Sequence, residues 1–535
     1  MTIHELRSAI TSAAKEAFPG KEIPEFSVEP PENPEYGDYA TNVAMLLSTK
    51  EKIVPIVAAT RIAEKLQTKV GEAADANPAA PGFINFRLKP AFLQEQVAEI
   101  LKAGEKYGRS DWGAETRAIV EFVSANPTGP LTIANARGGF LGDTLANVLE
   151  YFGAKVMREY YVNDTGGQIE MLGKSILAAK GEYRPTKDDE LYQGEYIKEL
   201  ARQVKGKDPM DAGEAAALFV LEKMIKPELS NMGIEFGQFF SEKSLEKTGQ
   251  VRQTIAMLQK KHLAYLKDNA LWLKAQELGF PSDRVIVRSD ARHTYLGSDI
   301  VYHLNKIKRG YTLLITIVGA DHAGELPIVK ALIDDVLRYD LGWNGRLELI
   351  LFQLVKLLKE GQEVKVSKRY GNIVTPFDLI DEVGLDAARF FFLLYSAEAH
   401  MNFDLDLAKE KSEKNPVYRV QYGHARLSSI LRKARGTKFG PDNVSLLTDR
   451  EEHRLIKKLM QFPEVIEDVA TTFQVQKLPH YALDLVGELH GFYEKVRVIS
   501  DNKELTSARL ALIKAAQIVL KNTLSLMGIS APQKM

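Results

Sequence analysis

The sequence predicts a multi-domain α/β protein with a parallel-sheet domain at its centre and an all-helical domain at its end. Three observations carry this. RAIVEFVS (117–124) is a β-branched apolar run, followed by a turn, an amphipathic helix and a second apolar run, KVMREYYVND (155–164). YTLLITIVGADHAGELPIVKALIDDVL (311–337) repeats the strand–turn–helix plan. From about 405 onward only helical periodicity is found. Parallel strands joined through helices belong in a sheet covered on both faces. Residues 115–405 therefore read as a Rossmann-type domain and 406–535 as a helical bundle.

Each element follows from local pattern. Ile3, Leu6, Ile10, Ala13, Ala14 and Phe18 recur at helical spacing. The segment IPEFSVEPPENPEYGDYATN is too rich in proline to be helical throughout. A second helical pattern over 38–70 and a short strand in NPAAPGFINFRL complete a small α+β module over 1–90. In the first βαβ unit Ala136, Phe140, Leu141, Leu145, Val148, Leu149 and Phe152 share one helical face, which stops at Gly153 as a C-cap would. Residues 170–290 are Lys/Glu-rich and poor in strand signals, and are expected to be a helical insertion. Two strands around LKEGQE form a hairpin over 345–369. In the last domain, breaks are expected at Pro416, the GTKFGPDN loop, Pro463 and Pro479.

Composition narrows the function classes. A chain of 535 residues with 45% apolar and 26% charged residues is an ordinary soluble composition, too long for one core. Seventy Lys+Arg against 71 Asp+Glu give a net charge of −1, so any nucleic-acid partner must be met by local basic patches. Cysteine is absent, which excludes disulfides, thiolate zinc, cysteine-ligated Fe–S clusters and cysteine nucleophiles. The N-terminal residues lack the uninterrupted apolar core of a signal peptide, and no run of 18 apolar residues occurs, so a cytoplasmic protein is expected.

Three polar clusters lie where a doubly wound sheet binds ligands, beyond strand carboxyl ends and at helix N-termini, and a fourth follows the hairpin. The first is Glu121, Ser124 and Asn126, continuing into PTGPLTIAN; the second is Asn163-Asp164 with Gly166-Gly167-Gln168. The third is Gly319-Ala320-Asp321-His322. The fourth, KVSKR (365–369), places three cations and a hydroxyl in five residues. Mobile cations beside a helix-end phosphate site suit a nucleotide's pyrophosphate. Each cluster alone has a plainer reading, as a turn, a cap or a solvated strand end. Their order on one domain argues for a site.

That order and wording resemble the arginyl-tRNA synthetases of class I: SANPTGPLTIANARG, YYVND with a following glycine and glutamine, GADH, and EVKVSKR before Gly371-Asn372. PENPEYGDYATNVAM, NPVYRVQYGHARLSSILRKA and RLALIKAAQIVLKNTLSLMGISAPQKM are similar to the family's flanking domains, so the match runs essentially the whole chain. The resemblance implies activation of L-arginine by ATP, as its Mg²⁺ complex, to arginyl-adenylate, then transfer to the 3′ end of tRNA-Arg. No zinc, haem or Fe–S cofactor is implied, and a monomer is the family expectation. Thr132, Ile133, Ala134 and Asn135 stand where the family's HIGH signature lies, and Lys365, Ser367, Lys368 and Arg369 stand in its KMSKS loop. Gly319, Asp321 and His322 fall in the ribose and adenylate region. Glu121, Ser124 and Asn126 match residues lining the amino-acid pocket, and Tyr295 and Asp299 match the pair that reads the guanidinium. A planar five-donor fork is best recognised by carboxylates, which gives that last assignment independent support.

The signature departs from the family in three places: Thr132 and Asn135 replace histidines and Ala134 replaces glycine. Thr and Asn still offer hydrogen-bond donors, without an imidazolium's charge. Both loop lysines are kept, so TIAN reads as a variant working site. A catalytically weakened, synthetase-derived tRNA-binding protein is the alternative. On the RNA side, residues 411–438 hold eight Lys/Arg and one acid, with Arg419, Tyr422, Arg426 and Lys433 sharing a helical face opposite Val417, Val420, Leu427 and Leu431.

Overall fold

The computed structural model describes residues 3–320, 324–364 and 374–535. At the N-terminus, the helix Ile3–Ala17 buries Leu6, Ile10, Ala13 and Ala14. Beside it lies an antiparallel sheet in the order Val28–Glu29, Tyr39–Thr41, Phe83–Leu88, Ala74–Ala79. The helical pattern expected over 38–70 divides into Val43–Glu51 and Pro55–Val70, because Lys52 takes a left-handed conformation and Pro55 opens the second helix. NPAAPGFINFRL supplies two strands where one was expected.

The central sheet is parallel and five-stranded. Its strands are β1 (Arg117–Glu121), β2 (Lys155–Val162), β3 (Gln238–Ser241), β4 (Leu313–Gly319) and β5 (Arg346–Phe352), in the spatial order β5-β4-β1-β2-β3. The chain starts in the middle, winds outward through β2 and β3, and returns to the other side of β1 with β4. The carboxyl ends of β1 and β4 therefore flank the topological switch, where such sheets open a ligand crevice.

Helix α1 (Ile133–Tyr151) follows β1 and is its crossover to β2; fifteen of its 19 residues are buried, far more than one amphipathic face would hide. Its glycines explain part of this. A methyl at Gly142 would come within 2.3 Å of the Phe122 ring, so only glycine lets the helix lie this close to the end of β1.

Residues 170–290 differ from the expected all-helical insertion. They hold helices, including α2 (Gly167–Ala179) at the start, but they also contribute β3 to the main sheet. A separate antiparallel sheet follows, Arg284–Val287, Ala270–Leu273 and Ala264–Lys267. Those strands are short, four residues each, and their charged flanks masked the alternation. Helix α3 (Tyr295–Lys308) then leads into β4. Of the expected hairpin, Val355–Lys359 pairs with Gln362–Glu363 across LKEGQE as read, whereas Arg346–Phe352 belongs to the parallel sheet.

The C-terminal region is helical: α4 (Leu385–Leu393) closes the α/β part, and α5 (Pro416–Lys433), α6 (Arg450–Thr472), α7 (Lys477–Lys495) and α8 (Lys503–Leu526) form the bundle. Pro416 opens α5 and the GTKFGPDN loop separates α5 from α6, as expected. Pro479 and Pro463 break nothing. Pro479 sits in the first turn of α7, where its missing N–H is not needed, and Pro463 lies inside α6, which runs on through it.

One buried guanidinium ties these parts together. Arg389 on α4 donates to Asp143 of α1 at 2.8 Å, to the Met527 carbonyl just past α8 at 3.0 Å, and to the carbonyls of Met232 and Gly233 before β3. Removing it leaves three carbonyls unmet and Asp143 with only the longer 3.8 Å pair to Arg158. Arg389→Met is expected to lower stability by about 3–5 kcal/mol. Arg389→Lys should recover less than half, since an ammonium lacks the planar fork. Urea-unfolding midpoints measure both; an unchanged midpoint for Arg389→Met would show the junction to be dispensable.

Candidate functional site

Glu121 ends β1, and the next residues turn sharply. Val123 (φ 66°) and Ser124 (φ 38°) both lie in the left-handed region, which is costly for a β-branched residue and persists where its surroundings enforce it. The turn folds Ser124 back so that its Oγ donates to Glu121 Oε1 at 3.3 Å and accepts from the Tyr161 N–H of β2 at 3.1 Å. Asn126, half-buried, follows at once, and its carbonyl accepts from Thr128 N.

The other oxygen of Glu121 is occupied. Oε2 accepts from Lys306 Nζ of α3 at 2.6 Å and from Thr316 Oγ1 of β4 at 3.1 Å, all within the buried core. The sequence candidate is thus half structural, with Oε2 held in the core and Oε1 turned to Ser124.

Helix α3 is capped by Thr294, whose Oγ1 accepts from Gly297 N, and it presents Tyr295 and Asp299 one turn apart on the same side. Tyr295 is exposed; Asp299 is half-buried. Desolvation, then the carboxylates of Glu121 and Glu242, push the Asp299 carboxyl up to about 8, against the pull of Lys306. Glu242, just after β3, is itself raised by burial and by Asp164. The Asn163 amide, oriented with its nitrogen toward Glu242, donates to it at 2.9 Å. Glu242 is a site residue that the sequence reading missed: it stands alone in a Lys/Glu-rich stretch, and only the addition of β3 beside β2 brings it to the pocket. Asp164 accepts from Ser241 and Lys243 N and so fixes the end of β3. Three carboxylates thus converge on one pocket, and a cation entering it would relieve their repulsion.

Across the crevice stands TIAN. Thr132 caps α1, and Asn135 Oδ1 accepts from both Thr132 N and Thr132 Oγ1, each at 2.9 Å. Ile133 is buried, Ala134 half-buried. The ordinary capping role and the anion-binding role therefore share one corner, at the positive end of a 19-residue helix. The loop residue just before the cap is held by Glu228, which accepts from Leu131 N and Phe377 N at 3.2 Å. Arg137, next to the tetrad, points away from the crevice into a cage of carbonyls from Gln353, Ser396 and Ala399 at 2.7–2.8 Å, and burial lowers it to about 10.

Gly319 ends β4 at the switch point. Asp321 and His322, and the whole of KVSKR with Lys365, Ser367, Lys368 and Arg369, lie outside the described residues. On α5, Tyr422, Arg426 and Lys433 are exposed and Arg419 is half-buried, opposite buried Val417, Val420 and Leu427. Arg426 lies 4.8 Å over the Tyr493 ring, and Tyr418 stacks on Tyr422 with centroids 6.2 Å apart. A cavity of about 540 Å³ opens at the other end of the sheet, between Asp143, Arg158, Glu235 and Gly528, away from these groups.

Three family models match consecutive parts of the chain: the arginyl tRNA synthetase N terminal domain over 4–88, the class I (R) tRNA synthetase catalytic domain over 96–392, and the DALR anticodon binding domain over 420–535. The arginine–tRNA ligase of Shouchella clausii is 40% identical over 551 residues, covering 99% of this chain and 98% of its own. That of Carboxydothermus hydrogenoformans is 42% identical over 530 residues, covering 95% and 94%. The solved arginyl-tRNA synthetase of Thermus thermophilus shares the fold over 100% of both chains, with a TM-score of 0.79 at 20% identity. With a strand-end crevice of the right chemistry and relatives matched end to end, the chain belongs to the arginyl-tRNA synthetase family of class I.

Proposed function

We propose that the protein is an arginine–tRNA ligase, joining L-arginine to ATP as arginyl-adenylate with release of pyrophosphate, then passing the arginyl group to the 3′ end of tRNA-Arg. The observation that carries it is the meeting of Asp299, Glu242 and Glu121 at the carboxyl end of β1, opposite the capped N-terminus of α1. Asp299, Glu242 and Tyr295 take the guanidinium, while Glu121 Oε1, Ser124 and Asn126 line the end that holds the α-amino and carboxylate groups. The arginine carboxylate oxygen attacks the α-phosphorus as the bond to pyrophosphate breaks; a terminal ribose hydroxyl of tRNA then attacks the carbonyl and AMP leaves. Thr132, Ile133, Ala134 and Asn135 border the ATP, Gly319, Asp321 and His322 its ribose side, and Lys365, Ser367, Lys368 and Arg369 the departing phosphates. ATP enters as its magnesium complex. The 1–90 module and α5, with Arg419, Tyr422, Arg426 and Lys433, contact the tRNA. The protein acts as a cytoplasmic monomer; among the described residues, no helix is long and apolar enough to cross a membrane.

The weakened-binder reading finds no support in relatives named as ligases along the whole chain. Thr132→His with Ala134→Gly and Asn135→His is therefore expected to change the charging rate by less than about tenfold, an effect worth under 1.4 kcal/mol. A rise from essentially no activity would favour the binder instead.

Charging of tRNA with labelled arginine, tRNA present from the start, is the direct test. Lysine, glutamine and neutral citrulline should not be attached; absence of arginine attachment to cognate tRNA would overturn the proposal.

The pocket also sets a pH dependence. A carboxyl near 8 holds a proton at lower pH that the guanidinium must displace, so affinity rises with pH up to about 8 and then levels. The arginine KM at pH 7 should be about tenfold that at pH 9. Asp299→Asn should raise it about a hundredfold or more and flatten this profile.

A further inference from the structure

Helix α3 is pinned to the sheet by two ion pairs one turn apart. Glu121 and Glu159 are direct neighbours in the register of β1 and β2. Lys306 pairs with the first at 2.6 Å and Arg309 with the second, through two bonds of 2.5 and 2.8 Å. The Tyr302 hydroxyl adds a bond of 2.6 Å to Glu159. The Arg309 pair is bidentate, and its carboxylate is not one of the three that converge on the pocket. The Lys306 pair is different. Its ammonium is completely buried, 4.1 Å from the Tyr302 ring centroid and 3.4 Å from Thr316 Oγ1, and the carboxylate it meets is one of the three that converge on the pocket. Lys306 also lies two turns along the same helix from Asp299.

We propose that Lys306 is a positioning residue for arginine recognition: its buried ammonium takes up the charge of Glu121, so that Asp299 and Glu242 are the two carboxylates left to pair with the substrate. This rests on the assignment of those two residues to the guanidinium. A charge at this depth is expensive unless it is matched, and the pair sits beside the pocket where a structural contact alone could have been apolar. The groups facing Asp299 are Glu121 from β1, Tyr161 from β2, Glu242 after β3, His303 and Lys306 from its own helix, and Glu325 at the start of the helix Leu326–Ala331. His303 is held neutral by burial and by Lys306, so Lys306 is the cation that offsets the carboxylates. Without it the pocket regains balance by taking up a proton, and arginine must compete with that proton over a wider pH range.

Lys306→Met and Lys306→Gln test this against Lys306→Arg, with KM for arginine and for ATP measured from pH 7 to pH 9. Met and Gln should raise the arginine KM at pH 7 by about tenfold or more, the equivalent of one unit of proton competition, and by much less at pH 9. The ATP KM should stay within about twofold in each, and the arginine variant should keep the parent profile. If the methionine variant does not fold, the glutamine and arginine variants decide the matter alone, and arginine binding by calorimetry gives the same readout without chemistry. A rise that is independent of pH, or equal for both substrates, overturns the proposal. Asp299→Asn run alongside separates the two ideas: no effect there removes the pocket assignment itself, whereas a loss there with pH-independent Lys306 variants removes only this inference.

Discussion

The Arg389–Asp143 contact is the fixed point from which the other distances in this protein are set. Asp143 sits in the middle of α1, fifteen of whose 19 residues are buried, and Arg389 brings the turn before β3, α4 and the residue just past α8 to that one place. Gly528, at φ 66°, makes the closure possible, since a methyl there would come within 2.3 Å of the guanidinium. The N-terminus of α1 is one end of the crevice. The same helix thus carries the TIAN corner at its head and the attachment of the helical bundle at its waist, so the bundle and that corner are joined through one element.

Around that helix the site is assembled at a cost in stability. Val123 and Ser124 hold positive φ, and three carboxylates crowd one pocket. A carboxyl raised in the folded state releases its proton later than in the unfolded chain, so the empty site weakens the fold as pH rises from the ordinary aspartate range toward 8. The substrate's cation removes that cost when it binds. Binding energy is therefore concentrated on a charged planar group and denied to a neutral isostere, which gains nothing from relieved repulsion.

The sequence made the βαβ plan, the capped start of α1 and the Tyr295–Asp299 face legible because these are local: a period, a turn residue, a spacing of four. The missing parts depend on neighbours far along the chain. Glu242 reaches the pocket only because β3 pairs with β2, and nothing in SEKSLEKTG marks it off from its charged surroundings. Lys306 reads as the polar side of an amphipathic helix, yet it is among the most buried side chains, since its partner Glu121 comes from a strand 185 residues away. Nothing local shows that Arg137, two residues past TIAN, is claimed by three carbonyls from the 353–399 region. Pro463 misled in the other direction, because a helix packed on its neighbours tolerates one lost hydrogen bond that an isolated helix would not.

Arg137 also bears on how TIAN works. The tetrad has no imidazole, and the nearby Arg137 guanidinium is spent on backbone carbonyls, so neither supplies a cation at this corner. Asn135 N and Ala136 N already donate to the Thr132 carbonyl, so the donors left there are the N–H groups of Ile133 and Ala134 and the amide nitrogen of Asn135, whose oxygen is held by Thr132. Such donors are neutral and preorganised; they orient phosphate without offsetting its charge. On the function proposed above, the balancing charge falls to other side chains, and KVSKR is the segment whose composition suits it. That proposal therefore divides the work of one site between a helix end that fixes position and lysines that supply charge, where the family signature carries histidines.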